Sequence, residues 1–156
     1  MKNLIITILV IISMSLTVKI SAKELTPRQI LYSVKKNNPD LKEIKILIDE
    51  SRFDQEKNYI KKALYTYGLK GTVYKVKDNI SIDFFCKGLN ENETVLLYHI
   101  GCLDDFQTRI MVINKCFQKN VNLITDCSLL YSSCSKLGYK VQVLGRDEDA
   151  QVVLAK

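Results

Sequence analysis

The sequence predicts a small three-layer α/β fold with a mixed sheet, mostly parallel, that closes on a C-terminal antiparallel hairpin. Three observations carry this. Short β-branched or leucine-rich runs alternate with segments whose apolar residues recur every three or four positions. Strands joined through helices pair in parallel by right-handed crossovers. Near the end, the apolar runs Lys140–Leu144 and Ala150–Leu154 flank the polar loop Gly145–Asp149, the pattern of a hairpin.

The elements follow in order. Thr26-Pro27-Arg28-Gln29 opens a helix, with Thr26 as cap, Pro27 in the first turn and Gln29 three residues on, as in a capping box. Ile30, Leu31 and Val34 give it an apolar stripe, and Asn37-Asn38-Pro39 stops it. Ile44–Ile48 reads as a strand running into the helix-start cluster Asp49-Glu50-Ser51. Phe53, Ile60, Leu64 and Tyr67 fall on one face of the next helix, and Gly68 and Gly71 offer its exits. Thr72–Val76 and Ile80–Phe85 are either two strands or one strand and a decorated loop, followed by the polar turn Lys87–Glu93. Val95–Ile100 is nearly continuous in apolar residues, the mark of a strand buried on both faces. Asp104, with Gln107 three residues on, starts a helix lined by Phe106, Ile110, Ile113 and Phe117. Val121–Thr125 is the next strand, and Asp126–Leu137 is a loop or broken helix.

The chain has 156 residues, 47% hydrophobic and 26% charged, which suits one ordinary domain and excludes wholesale disorder. Met1–Ala22 has the layout of a secretory signal peptide. Lys2 is followed by the apolar stretch Leu4–Val18, and Ser21-Ala22 supplies small residues at the cleavage point. Lys19 ends the run short of the roughly 18 apolar residues that a spanning helix needs. The expected protein is therefore exported, periplasmic or secreted, cleaved near Ala22, with a single α/β domain over residues 23–156. Its net charge falls from +6 to +4 with the loss of Lys2 and Lys19. Export removes nucleic acid from the expected partners. Lys35-Lys36 and Lys61-Lys62 read as solvated helix faces rather than a binding patch.

All five cysteines lie beyond the signal. In an oxidising compartment disulfides are the default, and an odd count leaves one thiol over. Cys127 and Cys134 would sit about 10 Å apart on a straight helix, too far to bridge, whereas a broken loop lets them close. On the loop reading they are the expected clasp. Cys86 and Cys102 flank the turn before the central strand and are candidates for a second bridge, and Cys116, on an apolar helix face, is the expected buried free thiol.

No motif for a metal, cofactor or catalytic group stands out, so no cofactor and no catalysis are expected. His99, the only histidine, ends an apolar strand and reads as structural. Gly68-Leu69-Lys70-Gly71 follows a helix and lacks the spacing of a phosphate loop. Asn79-Ile80-Ser81 and Asn92-Glu93-Thr94 match the glycosylation sequon. If the sheet is parallel, Asp49, Asp104, Asp105 and Asp126 gather in the loops at the carboxyl ends of its strands. There they are either helix caps or the lining of a ligand site.

The C-terminal half resembles the YfiR-like family of small exported proteins. The resemblance is carried by Val95-Leu96-Leu97-Tyr98-His99-Ile100, the helix Asp104–Lys119, Val121-Asn122-Leu123-Ile124-Thr125-Asp126, Gly138–Val143 and Ala150–Leu154, about 60 residues in all. Some members also carry a cysteine pair spaced like Cys127 and Cys134. The resemblance implies a periplasmic regulatory protein without catalysis, one that binds the periplasmic sensory part of an inner-membrane diguanylate cyclase and holds it inactive. It also implies cysteines that make folding redox-sensitive. A homodimer is the other partner expected. A different class, a small solute-binding or enzymatic α/β domain, is the alternative.

Overall fold

A computed structural model describes residues 25–143. The signal-peptide reading of Met1–Ala22 and the strand expected at Ala150–Leu154 lie outside those residues. The elements run α1 (Pro27–Asn37), β1 (Glu43–Asp49), α2 (Glu50–Thr66), β2 (Lys70–Val76), α3 (Asn79–Lys87), β3 (Thr94–Tyr98), a short 3-10 turn (Gly101–Asp104), α4 (Phe106–Gln118), β4 (Asn122–Thr125), α5 (Ser128–Lys136) and β5 (Val141–Val143). The five strands form one sheet in the order β2-β1-β3-β4-β5, and every pair is parallel.

Local chemistry sets the element ends. At α1 both capping-box bonds form, Gln29 N–H to the Thr26 hydroxyl at 3.3 Å and Thr26 N–H to the Gln29 side-chain oxygen at 2.9 Å. Gly68 leaves α2 with φ +65°, a conformation that excludes little but glycine's competitors with a Cβ.

Two layers of helices bury the sheet. Ile30, Leu31 and Val34 of α1 and Ile60, Ala63 and Leu64 of α2 pack on Ile46, Ile48, Leu96, Tyr98 and Ile124. On the other face, Ile82 and Cys86 of α3, Val112, Ile113 and Cys116 of α4, and Leu130 and Cys134 of α5 cover Leu47, Leu97 and Leu123. Alternate residues of β3 thus serve opposite layers, which is why its sequence is apolar without a break. Fully burying each such side chain contributes about 1.5–3 kcal/mol.

The structure corrects the sequence reading in three places. Ile80–Phe85 is helix, not strand. Asp78 caps α3 by accepting from Ser81 N–H at 2.9 Å, and Ser81 Oγ accepts in return from Asp78 N–H at 3.0 Å. A parallel return from edge strand β2 across β1 to β3 also requires such a crossover. Val141–Val143 pairs in parallel with Leu123–Thr125, and the antiparallel hairpin expected with Ala150–Leu154 lies outside the described residues. The segment Asp126–Leu137 contains an unbroken helix, α5. The helix expected from Asp104 is capped by Asp105 instead, whose carboxylate accepts from Thr108 N–H at 2.7 Å. Its buried side chains are Thr108, Val112, Ile113 and Cys116, whereas Phe106 and Phe117 are exposed.

Candidate functional site at the carboxyl ends of β1, β3 and β4

The order β2-β1-β3-β4-β5 reverses direction between β1 and β3. From β1 the chain crosses to one side, and from β3 onward it proceeds to the other. The loops leaving β1 and β3 therefore diverge at the carboxyl ends of the strands, the place where open α/β sheets commonly hold ligands. Register puts Ile48 beside Tyr98 and Leu97 beside Thr125, so the next residues, Asp49, His99 and Asp126, come together at this edge.

Asp49 bridges the two diverging loops. It caps α2 through Ser51 N–H at 3.0 Å, and its other oxygen accepts from Gly101 N–H at 3.3 Å. Burial works against its ionisation. The hydrogen bonds from Ser51 and Gly101 and the nearby Arg52 charge outweigh that and hold the carboxyl below its ordinary value.

His99 is the most constrained residue of this edge. Its φ is +50°, in the left-handed region, at a cost of about 1–2 kcal/mol. Asp126 holds it there. The His99 backbone N–H donates to the Asp126 carboxylate oxygens at 3.1 and 3.3 Å, and His99 Nδ1 lies 3.0 Å from Asp126 Oδ2. Because Asp126 offers only acceptors, the Nδ1 proton points to it. The arrangement fixes the ring and leaves Nε2 to serve as the free nitrogen. Nε2 is buried and has no hydrogen-bond partner. The ring leans on Tyr98, with centroids 4.1 Å apart.

Beneath this pair, on the α1/α2 face, Arg52 and Glu56 form a close ion pair at 2.7 Å, with the Glu56 side chain only 13% exposed. Glu56 Oε2 is buried and unpartnered. Burial and the Glu56 carboxylate push the Tyr98 hydroxyl well above its usual range, and that hydroxyl lies 3.4 Å from the Leu25 carbonyl. The group is mostly acceptors with one guanidinium. It suits a ligand that carries amino or hydroxyl donors.

The other expected site residues divide. Asp104 is exposed in the 3-10 turn, where its carbonyl accepts from Arg109 at 2.8 Å, and Asp105 is a helix cap. Cys102 is half-buried beside Asp49, and burial with that charge pushes its thiol up to about 11, far from a reactive thiolate. Among the described residues no cluster of His, Cys, Asp or Glu is placed to hold a metal ion.

All five cysteines are free thiols in the structure. The Cys127–Cys134 clasp needs a broken loop, and α5 is continuous. Cys127 is its N-cap, its sulfur accepting from Leu130 N–H at 3.4 Å, and Cys134 lies in its last turns. Cys86 is not bridged to Cys102, and its thiol is the neighbour of the Cys116 thiol, between α3 and α4. Cys116 is therefore buried as expected but not alone, and contact with Cys86 together with burial pushes its thiol strongly up.

Sequence reasoning read His99 as structural without its link to Asp126, and did not single out Arg52, Glu56 or Tyr98. The available signal was a histidine at the carboxyl end of one buried strand with an aspartate at the same end of the next. An Arg–Glu pair at i,i+4 in the first turns of the helix after β1 was the other.

No family model and no curated protein matches the chain. Solved structures are similar in fold. The ABC domain from Streptococcus pneumonia, in complex with L-Trp, superposes with a TM-score of 0.55 at 12% identity, over 81% of this chain and 42% of that one. A conserved domain protein from Vibrio cholerae superposes with a TM-score of 0.56 at 9% identity, over 79% and 41%. The chain thus spans about two fifths of the length of each, and at these identities the likeness is one of α/β fold.

Proposed function

We propose that this chain is an exported binding module that holds a small polar ligand in the crevice between the β1 and β3 loops. The observation that carries the proposal is the reversal of strand order at β1 and β3, with His99 clamped by Asp126 and its Nε2 left unpartnered at that point. Asp49, Asp126 and Glu56 favour a ligand with amino or hydroxyl donors, such as an amino acid, a small amine or a sugar. The complex of a similarly folded domain with L-Trp fits that class. The test is thermal-shift screening of these three classes, followed by titration calorimetry on the wild type and on His99→Ala and Asp126→Asn. A ligand whose binding both variants lose supports the proposal. A ligand that binds all three proteins equally well, or no ligand in any class, overturns it.

A second reading, the regulator of a membrane diguanylate cyclase, rests on the YfiR-like strand pattern of Val95–Ile100 and Val121–Asp126. On this reading the crevice ligand tunes the grip on the cyclase. Pull-down of the mature protein from a membrane extract of the source cell tests it. Specific recovery of a cyclase supports regulation, and recovery of no membrane protein refutes it.

A further inference from the structure

The outer surface of α1 and α2, turned away from the sheet, gathers cations that nothing balances. Arg28, Tyr32 and Lys36 follow at i, i+4 and i+8 and so form one exposed stripe on α1. Tyr59, Lys62 and Thr66, all exposed, follow at i, i+3 and i+7 on α2. The two stripes run side by side. Arg28 meets Tyr59 and Lys62 around a groove of about 400 Å³, whose lining includes Pro27 and the buried Ala63. Further along, Tyr32 meets Tyr67, the C-cap of α2, with ring centroids 6.0 Å apart. Tyr32 is 47% and Tyr59 69% exposed, and Tyr65 on the same helix is 89% exposed.

The charges of this face indicate what covers it. Among the described residues, the side chains of Arg28, Lys36 and Lys62 have no ion-pair or hydrogen-bond partner, and neither has Lys61, which stands one turn before Tyr65. The other cations of the two helices are engaged. Lys35 donates to the Leu41 carbonyl at 2.8 Å, Lys57 pairs with Asp54 at 3.1 Å, and Arg52 pairs with Glu56 at 2.7 Å. α1 contains no acid, and the acids of α2, Glu50, Asp54 and Glu56, all precede Lys57. The face is therefore complementary to an anionic partner and offers it no repulsive carboxylate. A tyrosine has an apolar body and a polar tip, and long basic side chains lay their stems on apolar surface while the charged heads stay among polar groups. Interleaved, the two suit the headgroup region of an anionic bilayer. The groove runs only about two turns of α2, from Tyr59 to Thr66, which suits one headgroup and not a nucleic-acid strand that needs a continuous channel. The export reading, on which the choice of a lipid surface also rests, likewise removes nucleic acid.

We propose that the α1/α2 face docks on an anionic phospholipid surface, with a headgroup phosphate between Arg28 and Lys62 and the rings of Tyr32 and Tyr59 at headgroup depth. Each cation at such a surface strengthens binding roughly 5-fold, so the docking is reversible and weakens as salt rises. The carboxyl ends of the strands take no part, and the docking stands whether or not a small ligand binds there.

The experiment is cosedimentation of the mature protein with vesicles of phosphatidylcholine alone and of phosphatidylcholine mixed with phosphatidylglycerol. It is run on the wild type, Arg28→Gln, Lys62→Gln and the double variant. Both substitutions fall on exposed positions, so circular dichroism should show the same fold in every variant. The wild type should bind the mixed vesicles and leave the neutral ones in suspension. Each single variant should weaken binding roughly 5-fold, and the double variant roughly 25-fold. The chain has no tryptophan, so Tyr59→Trp supplies a lone reporter whose emission should shift to the blue on mixed vesicles. A wild type that binds no vesicle at low salt overturns the proposal, as does one that binds both kinds alike. Glutamine variants that bind as the wild type does, or a Trp emission unmoved by bound vesicles, overturn it too. Loss of vesicle binding on adding inorganic phosphate at constant ionic strength assigns the groove to the free anion. Binding to single-stranded DNA with none to vesicles assigns the face to a nucleic acid, and either result overturns the proposal.

Discussion

Removing Asp126 should release His99 and destabilise the fold by an amount the structure sets. In the wild type the carboxylate accepts from the His99 backbone N–H at 3.1 and 3.3 Å and faces Nδ1 at 3.0 Å, with its side chain 15% exposed. Hydrogen bonds to a charged acceptor contribute about 1.5–3 kcal/mol each, less where water can replace them. Asp126→Ala deletes the acceptor for one backbone and one side-chain donor, and the left-handed His99 loses the contact that offsets its strain. A loss of about 3 kcal/mol follows, a fall of roughly 10 °C in Tm for a domain of this size. Asp126→Asn keeps the backbone bond and should cost about half as much. His99→Gly relaxes the φ of +50° and removes the ring, so Asp126→Ala made in that background should cost markedly less. Urea unfolding of the wild type, the two single variants Asp126→Ala and His99→Gly, and their combination gives the cycle. An Asp126→Ala variant within about 0.5 kcal/mol of the wild type, or a cost unchanged in the His99→Gly background, refutes the clamp.

The same geometry sets a pH dependence and a redox pattern. Asp49 has its carboxyl held below the ordinary 3.8, so its contribution to stability is fully present above that value and is lost as pH falls through the lower, folded one. Asp49→Asn still caps α2, and its thermal stability should fall less steeply than the wild type's below pH 4. Parallel melting curves over that window would expose the error. Peptide mapping after mild oxidation with oxidised glutathione should recover Cys86 linked to Cys116, whose thiols touch, and should leave Cys127 and Cys134 unlinked, since α5 holds them apart. A Cys127–Cys134 peptide would show that α5 opens.

Elements with strong local signals were legible in the sequence. Thr26, Pro27 and Gln29 announce α1, the β-branched run Ile44–Ile48 announces β1, and Val95–Tyr98 is so apolar that a strand buried on both faces suits it best. α3 is hidden in the sequence because Ile80 and Ile82 alternate with polar residues as in a strand of period two. The helix is decided by the cap at Asp78 and by a crossover that depends on where β3 lies. α5 has a weak stripe, only Leu130 and Cys134 being buried, and its serines mimic a loop. The parallel pairing of β5 depends on long-range contacts with β4. Of the site, Asp49 and Asp126 could be placed, because a carboxylate just past a strand in a parallel sheet lands at the carboxyl edge. The role of His99 could not, since it depends on a left-handed backbone that turns the ring toward a residue 27 positions later.

The crevice is tested most directly by mapping a bound ligand with backbone amide NMR. On titration with the tightest compound from the screen, the account predicts that the largest shifts fall on Asp49, Ser51, His99, Gly101 and Asp126. Shifts concentrated instead at the amino ends of the strands, around Glu93, Asn120 and Tyr139, with these five unmoved, would contradict it.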